Sequence, residues 1–244
     1  MTHSPKTAIV TGGSKRVGAG IVAALLADGW QVVAQAHHAG DAVAEGAVAV
    51  VADLAEPDCA ARLFAAADGL APVRLLVNNA ARFVHDGFGG ASAAEFDAHM
   101  AVNARAPMLL IDEFSKRHAG GEALIVNLTD AKLAAPNPDY LSYTLSKYAL
   151  DGLTKLAARA LAGQRIRVMG IAPAQMLPSG GQDEAAFAAS HALNPLGRGV
   201  EVSDVVATIR FLIDQRAMTG ATILIDGGQQ HMALPRDVQF VETK

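Results

Sequence analysis

The chain turns from strand to helix within the stretch TAIVTGGSKRVG, which runs from Thr7 to Gly18. Its first four residues are typical of a buried strand, and a helix is expected to begin near Gly18. Glycines at a strand–helix junction allow backbone amides to approach a pyrophosphate at the helix N-terminus. An ordinary tight turn would also use glycines, but a position after the first strand of a β-α series favours the phosphate site.

The rest of the chain continues this alternation of strands and helices. We predict strands at 7–11, 31–36, 47–52, 74–78, 123–127, 167–171 and 222–225, and helices at 18–28, 59–66, 93–117, 141–161 and 201–215. Such apolar strands indicate a parallel sheet covered on both faces, in one domain of 244 residues. The stretch 175–200, rich in Pro, Gly, Gln and Asn, is predicted to be a substrate loop or a solvated insertion.

Composition argues against several classes of protein. Hydrophobic residues make up 51% and charged residues 18%, which is typical of a folded soluble domain. A net charge of −4 without a basic run argues against nucleic-acid binding. No apolar stretch has the length of a membrane span, and residues 1–6 lack the apolar segment of a signal peptide. Since Cys59 is the single cysteine, we predict a cytoplasmic protein without a disulfide.

Tyr143 and Lys147 stand four residues apart, and Asp130 precedes the tyrosine by thirteen residues. Residues at i and i+4 share one face of a helix. A neighbouring ammonium favours phenolate, so we expect Lys147 to lower the pKa of Tyr143 towards neutrality. Tyr143 would then be a proton donor at physiological pH.

The end of the second strand bears on the choice of nucleotide. A site specific for NAD usually places an acid there to hold the ribose 2′-OH, and this chain has none. Lys15 and Arg16 in the glycine-rich turn, with His37 and His38 after the strand, favour a 2′-phosphate and hence NADP(H). The two histidines can also be solvated loop residues.

Six short motifs follow one another in a particular order. They are Thr11-Gly12…Gly18, Asp53-Leu54, Asn78-Asn79-Ala80, Asn103, Tyr143…Lys147 and Asp226-Gly227-Gly228. In this order, and over essentially the whole chain, they resemble the short-chain dehydrogenase/reductase family. The resemblance implies a single α/β domain of the Rossmann type, with a doubly wound, seven-stranded parallel sheet, and usually a homotetramer.

The resemblance also implies a role for each matching residue. Tyr143 would be the general acid, Lys147 would bind the nicotinamide ribose, and Asn103 would hold a water that connects Lys147 to solvent. Asn103 can also be an ordinary helix-surface amide. No metal is predicted. The predicted cofactor site comprises Gly12, Ser14, Lys15, Arg16, Val17, Gly18, His37, His38, Asp53, Leu54, Asn79, Ala80, Tyr143, Lys147 and Pro173.

Three positions depart from the family pattern. Arg16 replaces the middle glycine of the turn, Asp130 replaces the usual serine, and Ala174 replaces the glycine after Pro173. The third departure affects the nicotinamide-carboxamide contacts, which backbone groups can supply. The first two resemble the pteridine reductases and the bacterial dihydromonapterin reductases. That subgroup has an aromatic residue soon after the Asn-Asn-Ala motif, which makes Phe83 the candidate that stacks on a pterin ring.

An aspartate at position 130 suits chemistry at nitrogen. An ionised carboxylate only accepts hydrogen bonds, so it does not help a ketone oxygen that gains negative charge. Beside a ring imine, a carboxyl group can accept from an N–H or pass on a proton, and burial would raise its pKa. Thr129 could instead be the reacting hydroxyl, because a slip of one residue on a strand turns the side chain to the other face.

We therefore predict an NADPH-dependent reductase that acts on a C=N bond of a pterin or dihydropterin. The alternatives are an NADPH-dependent reductase of ketones or aldehydes and a non-catalytic nucleotide-binding protein. Arg16 can bind the cofactor only, Phe83 can merely pack a loop, and Met176 and Leu177 can belong to the core. The predicted catalytic residues are Asp130, Tyr143, Lys147 and Asn103, and the predicted substrate contacts are Arg16, Phe83, Asp130, Tyr143, Met176 and Leu177.

Overall fold

The protein forms one seven-stranded sheet in the computed structural model, which describes residues 4–178 and 182–241. The strands are β1 (Thr7–Val10), β2 (Gln31–Ala36), β3 (Val48–Val51), β4 (Val73–Asn78), β5 (Ala123–Leu128), β6 (Ile166–Pro173) and β7 (Thr222–Ile225). All neighbouring strands pair in parallel, in the order β3-β2-β1-β4-β5-β6-β7. The order reverses between β1 and β4, which confirms the predicted doubly wound sheet.

Helices connect the strands. They are α1 (Arg16–Ala27), α2 (Cys59–Ala65), α3 (Ala93–Met100), α4 (Ala106–Arg117), α5 (Leu141–Leu161), α6 (Glu184–His191) and α7 (Val202–Asp214). Short 3-10 turns lie at Ala131–Leu133, Ala162–Gln164, Gln229–Met232 and Val238–Phe240. Within the described ranges, no helix combines the length and the apolar character that a membrane span requires.

Two helical segments differ from the sequence prediction. The single helix predicted at 93–117 contains a π-helical turn, Ala101–Arg105, between α3 and α4. The irregular stretch predicted at 175–200 contains α6, whose N-terminus is capped by the Asp183 side chain accepting from Ala186 N at 2.7 Å. Residues 179–181 of that stretch lie outside the described residues. An alanine-rich run of eight residues after an aspartate was the available signal for α6.

Two apolar clusters cover opposite faces of the sheet. Val10 packs in one cluster with helices α1 and α7, whereas the adjacent Ile9 packs in the other with α2, α4 and α5. This alternation follows from the strand, because successive side chains point to opposite faces. The helices on both faces leave the carboxyl ends of the strands along one open edge, where ligands bind in doubly wound sheets.

Candidate active site

A cavity of about 560 Å³ lies at the carboxyl ends of the strands. Its walls come from the turn after β1, the residues that follow β4, the ends of β5 and β6, the first turns of α5 and the C-terminal residues 234–239. The cavity therefore lies beside the point where the strand order reverses, as expected for a nucleotide site in this architecture.

The cavity brings together all but two of the predicted site residues. Those on its wall are Gly12, Ser14, Lys15, Arg16, Val17, Gly18, His37, Asp53, Leu54, Asn79, Ala80, Phe83, Asp130, Tyr143, Lys147, Pro173, Met176 and Leu177. His38 is exposed, lies off the wall and contacts the ring of His37 edge-on at 4.3 Å. Asn103 is fully buried behind the wall. His37 is therefore the histidine placed to meet a ligand.

The glycine-rich turn is packed too closely for larger side chains. A Cβ added to Gly18 would lie 1.9 Å from Gly12 O and 2.7 Å from Asn79 Nδ2. Asn79 Nδ2 in turn donates to Thr11 O at 2.8 Å and so fixes the turn against the end of β4. Since Gly12 adopts a φ of +62°, the turn presents backbone rather than side chains to the cavity. A pyrophosphate at the start of α1 fits this cradle.

Gln35 is a cavity residue that sequence reasoning missed. It is buried on β2, accepts from Gly12 N at 2.7 Å and donates to Ala52 O at 2.7 Å. It thereby links the glycine-rich turn to the residue after β3. The available signal was a polar residue inside an otherwise apolar strand, because a buried amide requires partners.

Arg16 adopts a backbone conformation that favours glycine. Its φ is +53°, in the left-handed region that favours glycine. Its side chain is exposed and lines the cavity, and none of the described residues forms a hydrogen bond or ion pair with its guanidinium. The turn thus keeps a strained conformation and places an unpaired cation at the start of α1.

Asp130 meets Tyr143 directly. Tyr143 Oη donates to Asp130 Oδ2 at 2.6 Å, and Asp130 Oδ1 accepts from Lys132 N at 2.8 Å. The hydroxyl of Thr129 is buried and instead donates to Ile171 O at 3.1 Å on β6. Of the two alternatives, Asp130 is therefore the residue whose side chain contacts the tyrosine.

The electrostatics of the pair differ from the sequence expectation. Burial and the charge of Asp130 raise the pKa of Tyr143 well above its usual value, so the predicted lowering by Lys147 is wrong for this arrangement. The carboxylate accepts a hydrogen bond from the phenol O–H and thereby stabilises the protonated phenol. Burial also raises the pKa of Asp130, opposed by its hydrogen bonds from Tyr143 and Lys132 N and by the charge of Lys147.

Lys147 is held by the backbone of the sheet. Its Nζ donates to Leu128 O at 2.6 Å and lies 5.6 Å from the centre of the Tyr143 ring. Burial lowers the pKa of Lys147 to about 8, against the opposing charge of Asp130. The ammonium therefore lies beside the hydrogen-bonded Asp130 and Tyr143, which we call the acid pair.

One helical face holds the segment that carries Phe83. Asn103, in the π-helical turn, accepts from Arg82 N at 2.7 Å and donates to Arg82 O at 3.0 Å. One helical turn earlier, His99 Nε2 accepts from Val84 N at 3.3 Å. Glu95 forms an ion pair with the Arg82 side chain. Asn103 is thus buried and bound to Arg82 rather than a surface amide, while its predicted role in holding a water stays a prediction. Sequence reasoning missed Glu95 and His99.

Phe83 stands on the cavity wall with aromatic partners. Its ring stacks on Tyr140 at 4.2 Å and 17°, and meets Tyr143 edge-on at 4.7 Å. The side chain remains 37% exposed. Phe83 therefore packs its loop against Tyr140 and Tyr143 and also keeps aromatic surface on the cavity wall, while its stacking on a pterin ring stays a prediction.

The comparisons with known proteins agree with this architecture. A family model described as enoyl-(acyl carrier protein) reductase matches residues 13–230. The chain is 35% identical over 237 residues to L-xylulose reductase of Bos taurus, covering 91% of this chain and 96% of the relative. It is 34% identical over 292 residues to pteridine reductase 1 of Leishmania tarentolae, covering 93% and 98%.

The chain belongs to the short-chain dehydrogenase/reductase family. One similar solved structure of this family is FolM alternative dihydrofolate reductase 1 from Brucella canis, complexed with NADP. It superposes with a TM-score of 0.87 at 36% identity and covers 92% of this chain and 94% of that one. The predicted family, fold and oxidoreductase class are confirmed.

Proposed function

We propose that this short-chain reductase uses NADPH to reduce a C=N bond of a pterin or dihydropterin. The observation that carries the proposal is the 2.6 Å hydrogen bond between Tyr143 Oη and Asp130 Oδ2 on the cavity wall. A carboxyl group in this position suits protonation of nitrogen better than of a ketone oxygen. Relatives named as a pteridine reductase and as an alternative dihydrofolate reductase support it.

NADP(H) is the cofactor. Gly12 and Gly18 form the cradle for its pyrophosphate, and Asp53 and Leu54 line the wall near the end of β3. Lys15 and His37 lie on the wall where a 2′-phosphate would need cations or donors, and the end of β2 carries no acid. Bound there, the cofactor supplies a hydride to a ring carbon of the substrate.

The acid pair supplies the proton. Because Tyr143 already donates its phenol proton to Asp130, delivery to substrate needs a second proton in the pair. The raised pKa of Asp130 favours the protonated carboxyl group that can hold it. The carboxyl then donates to the phenol oxygen while the phenol donates to the substrate nitrogen, or Asp130 donates through water.

Lys147 and Phe83 have supporting roles. The Lys147 ammonium, fixed by Leu128 O, is placed to donate to a ribose hydroxyl and to stabilise negative charge that develops on Tyr143. Phe83 offers an aromatic face beside the tyrosine for a flat ring. Met176, Leu177 and Arg16 complete the wall on which that ring would rest.

A second candidate function is reduction of a ketone or aldehyde. Tyr143 and Lys147 are sufficient to protonate a carbonyl oxygen in principle, and the relative named L-xylulose reductase is as similar to this chain as the pteridine reductase is. The two candidates differ in what they require of Asp130. A carbonyl reductase is served at least as well by a serine hydroxyl, which can donate to the oxygen.

Substrate profiles of wild-type enzyme and Asp130→Ser test the proposal. NADPH oxidation is measured with dihydrobiopterin, dihydromonapterin and dihydrofolate, and with simple ketones. We expect Asp130→Ser to lower kcat/KM for the dihydropterins by about 100-fold, a typical loss for a general acid, and to leave ketone turnover unchanged or higher. Thr129→Ser, which keeps the neighbouring hydroxyl, serves as the control. Good turnover of ketones without turnover of any pterin would overturn the proposal.

We also propose a homotetramer in the cytoplasm. Leu145, Tyr148 and Leu156 recur at helical spacing along α5 and are 45%, 42% and 72% exposed, which forms an apolar stripe that a second copy could cover. Cys59 is free and buried, which is compatible with a reducing compartment. Light scattering should give about four times the chain mass of 25.2 kDa, and Leu156→Arg should reduce it.

A further inference from the structure

The C-terminal segment, residues 236–239, forms one wall of the cavity. Arg236, Asp237, Val238 and Gln239 line it, as do Asp130 and Tyr143. None of the sequence motifs pointed to this segment. It brings a further carboxylate, that of Asp237, into the cavity.

The segment is fixed by buried partners at the start of α5. Asp139 is buried and accepts from Arg236 Nε at 2.8 Å and from Asp237 N at 2.8 Å. Tyr140 Oη donates to Gln239 Oε1 at 3.0 Å. These contacts fix the backbone on both sides of Asp237, so the carboxylate has a defined place in the wall.

The hydrogen-bonding capacity of the Asp237 carboxylate is only partly used by other residues of the protein. Its Oδ2 lies 3.3 Å from Lys132 Nζ, and its Oδ1 accepts from Gln239 N at 3.2 Å. An ionised carboxylate can accept about four hydrogen bonds, so acceptor positions are left over. The side chain is 14% exposed, and that exposure is towards the cavity that it lines.

The Asp237 carboxylate also acts electrostatically on the acid pair. Its negative charge contributes to the raised pKa of both Asp130 and Tyr143. Lys132 joins the two aspartates, because its N donates to Asp130 Oδ1 at 2.8 Å and its Nζ lies 3.3 Å from Asp237 Oδ2, and both carboxyl groups line the same cavity. A ring with N–H groups on one edge could bridge the two carboxyl groups.

We propose that Asp237 is a specificity-determining residue, whose carboxylate accepts a hydrogen bond from an exocyclic amino group of the substrate. This role rests on the proposed function, because Asp237 would bind the amino-substituted edge of a pterin-like ring. An oxo group at the same place would put an acceptor against an acceptor. Asp237 thus selects amino-substituted over oxo-substituted rings.

The test is the preference between two ring ligands that differ at one position. Pterin carries a 2-amino group, and lumazine carries a 2-oxo group in its place. Their dissociation constants are measured by fluorescence on the enzyme saturated with NADP. We expect wild-type enzyme to prefer pterin and Asp237→Asn to reduce that preference about ten-fold, the loss expected for one charge-assisted hydrogen bond.

The control is Asp97→Asn, which removes the same charge at an exposed position on α3. It should keep the wild-type preference, and neither variant should change the affinity for NADPH. If Asp237→Asn does not fold, Asp237→Ser is measured in the same way. An unchanged preference in the folded variant overturns the inference, as does an equal loss of affinity for both rings.

The outcomes for the two proposals are separable. If wild-type enzyme turns over dihydropterins but Asp237→Asn keeps the preference for pterin over lumazine, only the role of Asp237 fails. If wild-type enzyme binds pterin with the expected preference but turns over no dihydropterin, only the proposed reaction fails. If it shows no preference between the two rings, the role of Asp237 fails whatever the reaction is.

Discussion

Among single residues, Lys147 shows how burial sets a working pH. Its pKa is lowered to about 8, so the free enzyme carries the ammonium below that pH and loses it above. The protonated form of Asp130 is also lost as the pH rises. We expect kcat/KM for reduction to fall as the pH rises through about 8, because kcat/KM reports ionisations of the free enzyme.

The measurement is the pH profile of kcat/KM in wild-type enzyme and Lys147→Arg. A guanidinium does not titrate in this range, so the contribution of residue 147 to the decline should disappear in the variant. A wild-type profile that stays flat across pH 8 would contradict the assignment.

Sequence reasoning identified these residues but not their mutual electrostatics. The spacing of Tyr143 and Lys147 indicated one helical face, and the spacing of Asp130 indicated the same site. It could not indicate that burial and the carboxylate at 2.6 Å would together raise the pKa of the phenol despite the neighbouring ammonium. That balance depends on distances between side chains on different elements, which a pattern along the chain does not contain.

At the scale of elements, the glycine-rich turn determines how α1 meets the sheet. A Cβ at Gly18 would lie 1.9 Å from Gly12 O, so Gly18→Ala must move backbone atoms of the turn. We expect NADPH affinity to fall by more than about ten-fold, since the pyrophosphate cradle is built from those atoms. Gly163→Ala is the matched control, because a Cβ there meets nothing within 4 Å. Titration of NADPH fluorescence measures the affinity of both variants. Equal affinities would contradict the proposal that the turn around Gly18 binds the pyrophosphate.

The strands were predicted more accurately from the sequence than the π-helical turn and the C-terminal wall of the cavity. The strands were predicted well because buried parallel strands are near-continuous apolar runs. The π-helical turn at Ala101–Arg105 was missed because a single extra residue leaves the apolar pattern almost unchanged. The C-terminal wall was missed because its contacts are remote in sequence: Arg236 meets Asp139 across 97 positions.

At the scale of the whole molecule, the cavity proposed to hold the cofactor joins both halves of the sheet. Gly12 belongs to the half formed by β1 to β3, whereas Asn79, Lys147 and Pro173 belong to the other half. A ligand that binds only the folded chain stabilises it by about 2.7 kcal/mol at a hundred times its Kd. For a chain of this size, that corresponds to a rise in Tm of roughly 5–10 °C.

Thermal unfolding with NADPH and with NADH at equal concentration measures this effect. We expect the larger rise with NADPH, since Lys15 and His37 lie on the wall without an opposing acid at the end of β2. Lys15→Ala should reduce the difference between the rise in Tm with NADPH and the rise with NADH. Equal rises in the wild-type enzyme would contradict recognition of a 2′-phosphate.

The left-handed backbone conformation of Arg16 lowers the stability of the chain at a position where the side chain is proposed to bind a ligand. A non-glycine residue with this positive φ destabilises the folded chain by about 1–2 kcal/mol. A glycine removes that strain, but its greater conformational freedom in the unfolded chain offsets part of the gain. We expect Arg16→Gly to raise the free energy of unfolding by up to about 1 kcal/mol, as measured with urea, while it weakens binding of NADPH or of the pterin. Directed evolution of this enzyme for heat resistance alone would therefore favour glycine at position 16, and with it catalysts that have lost a cation from their binding site.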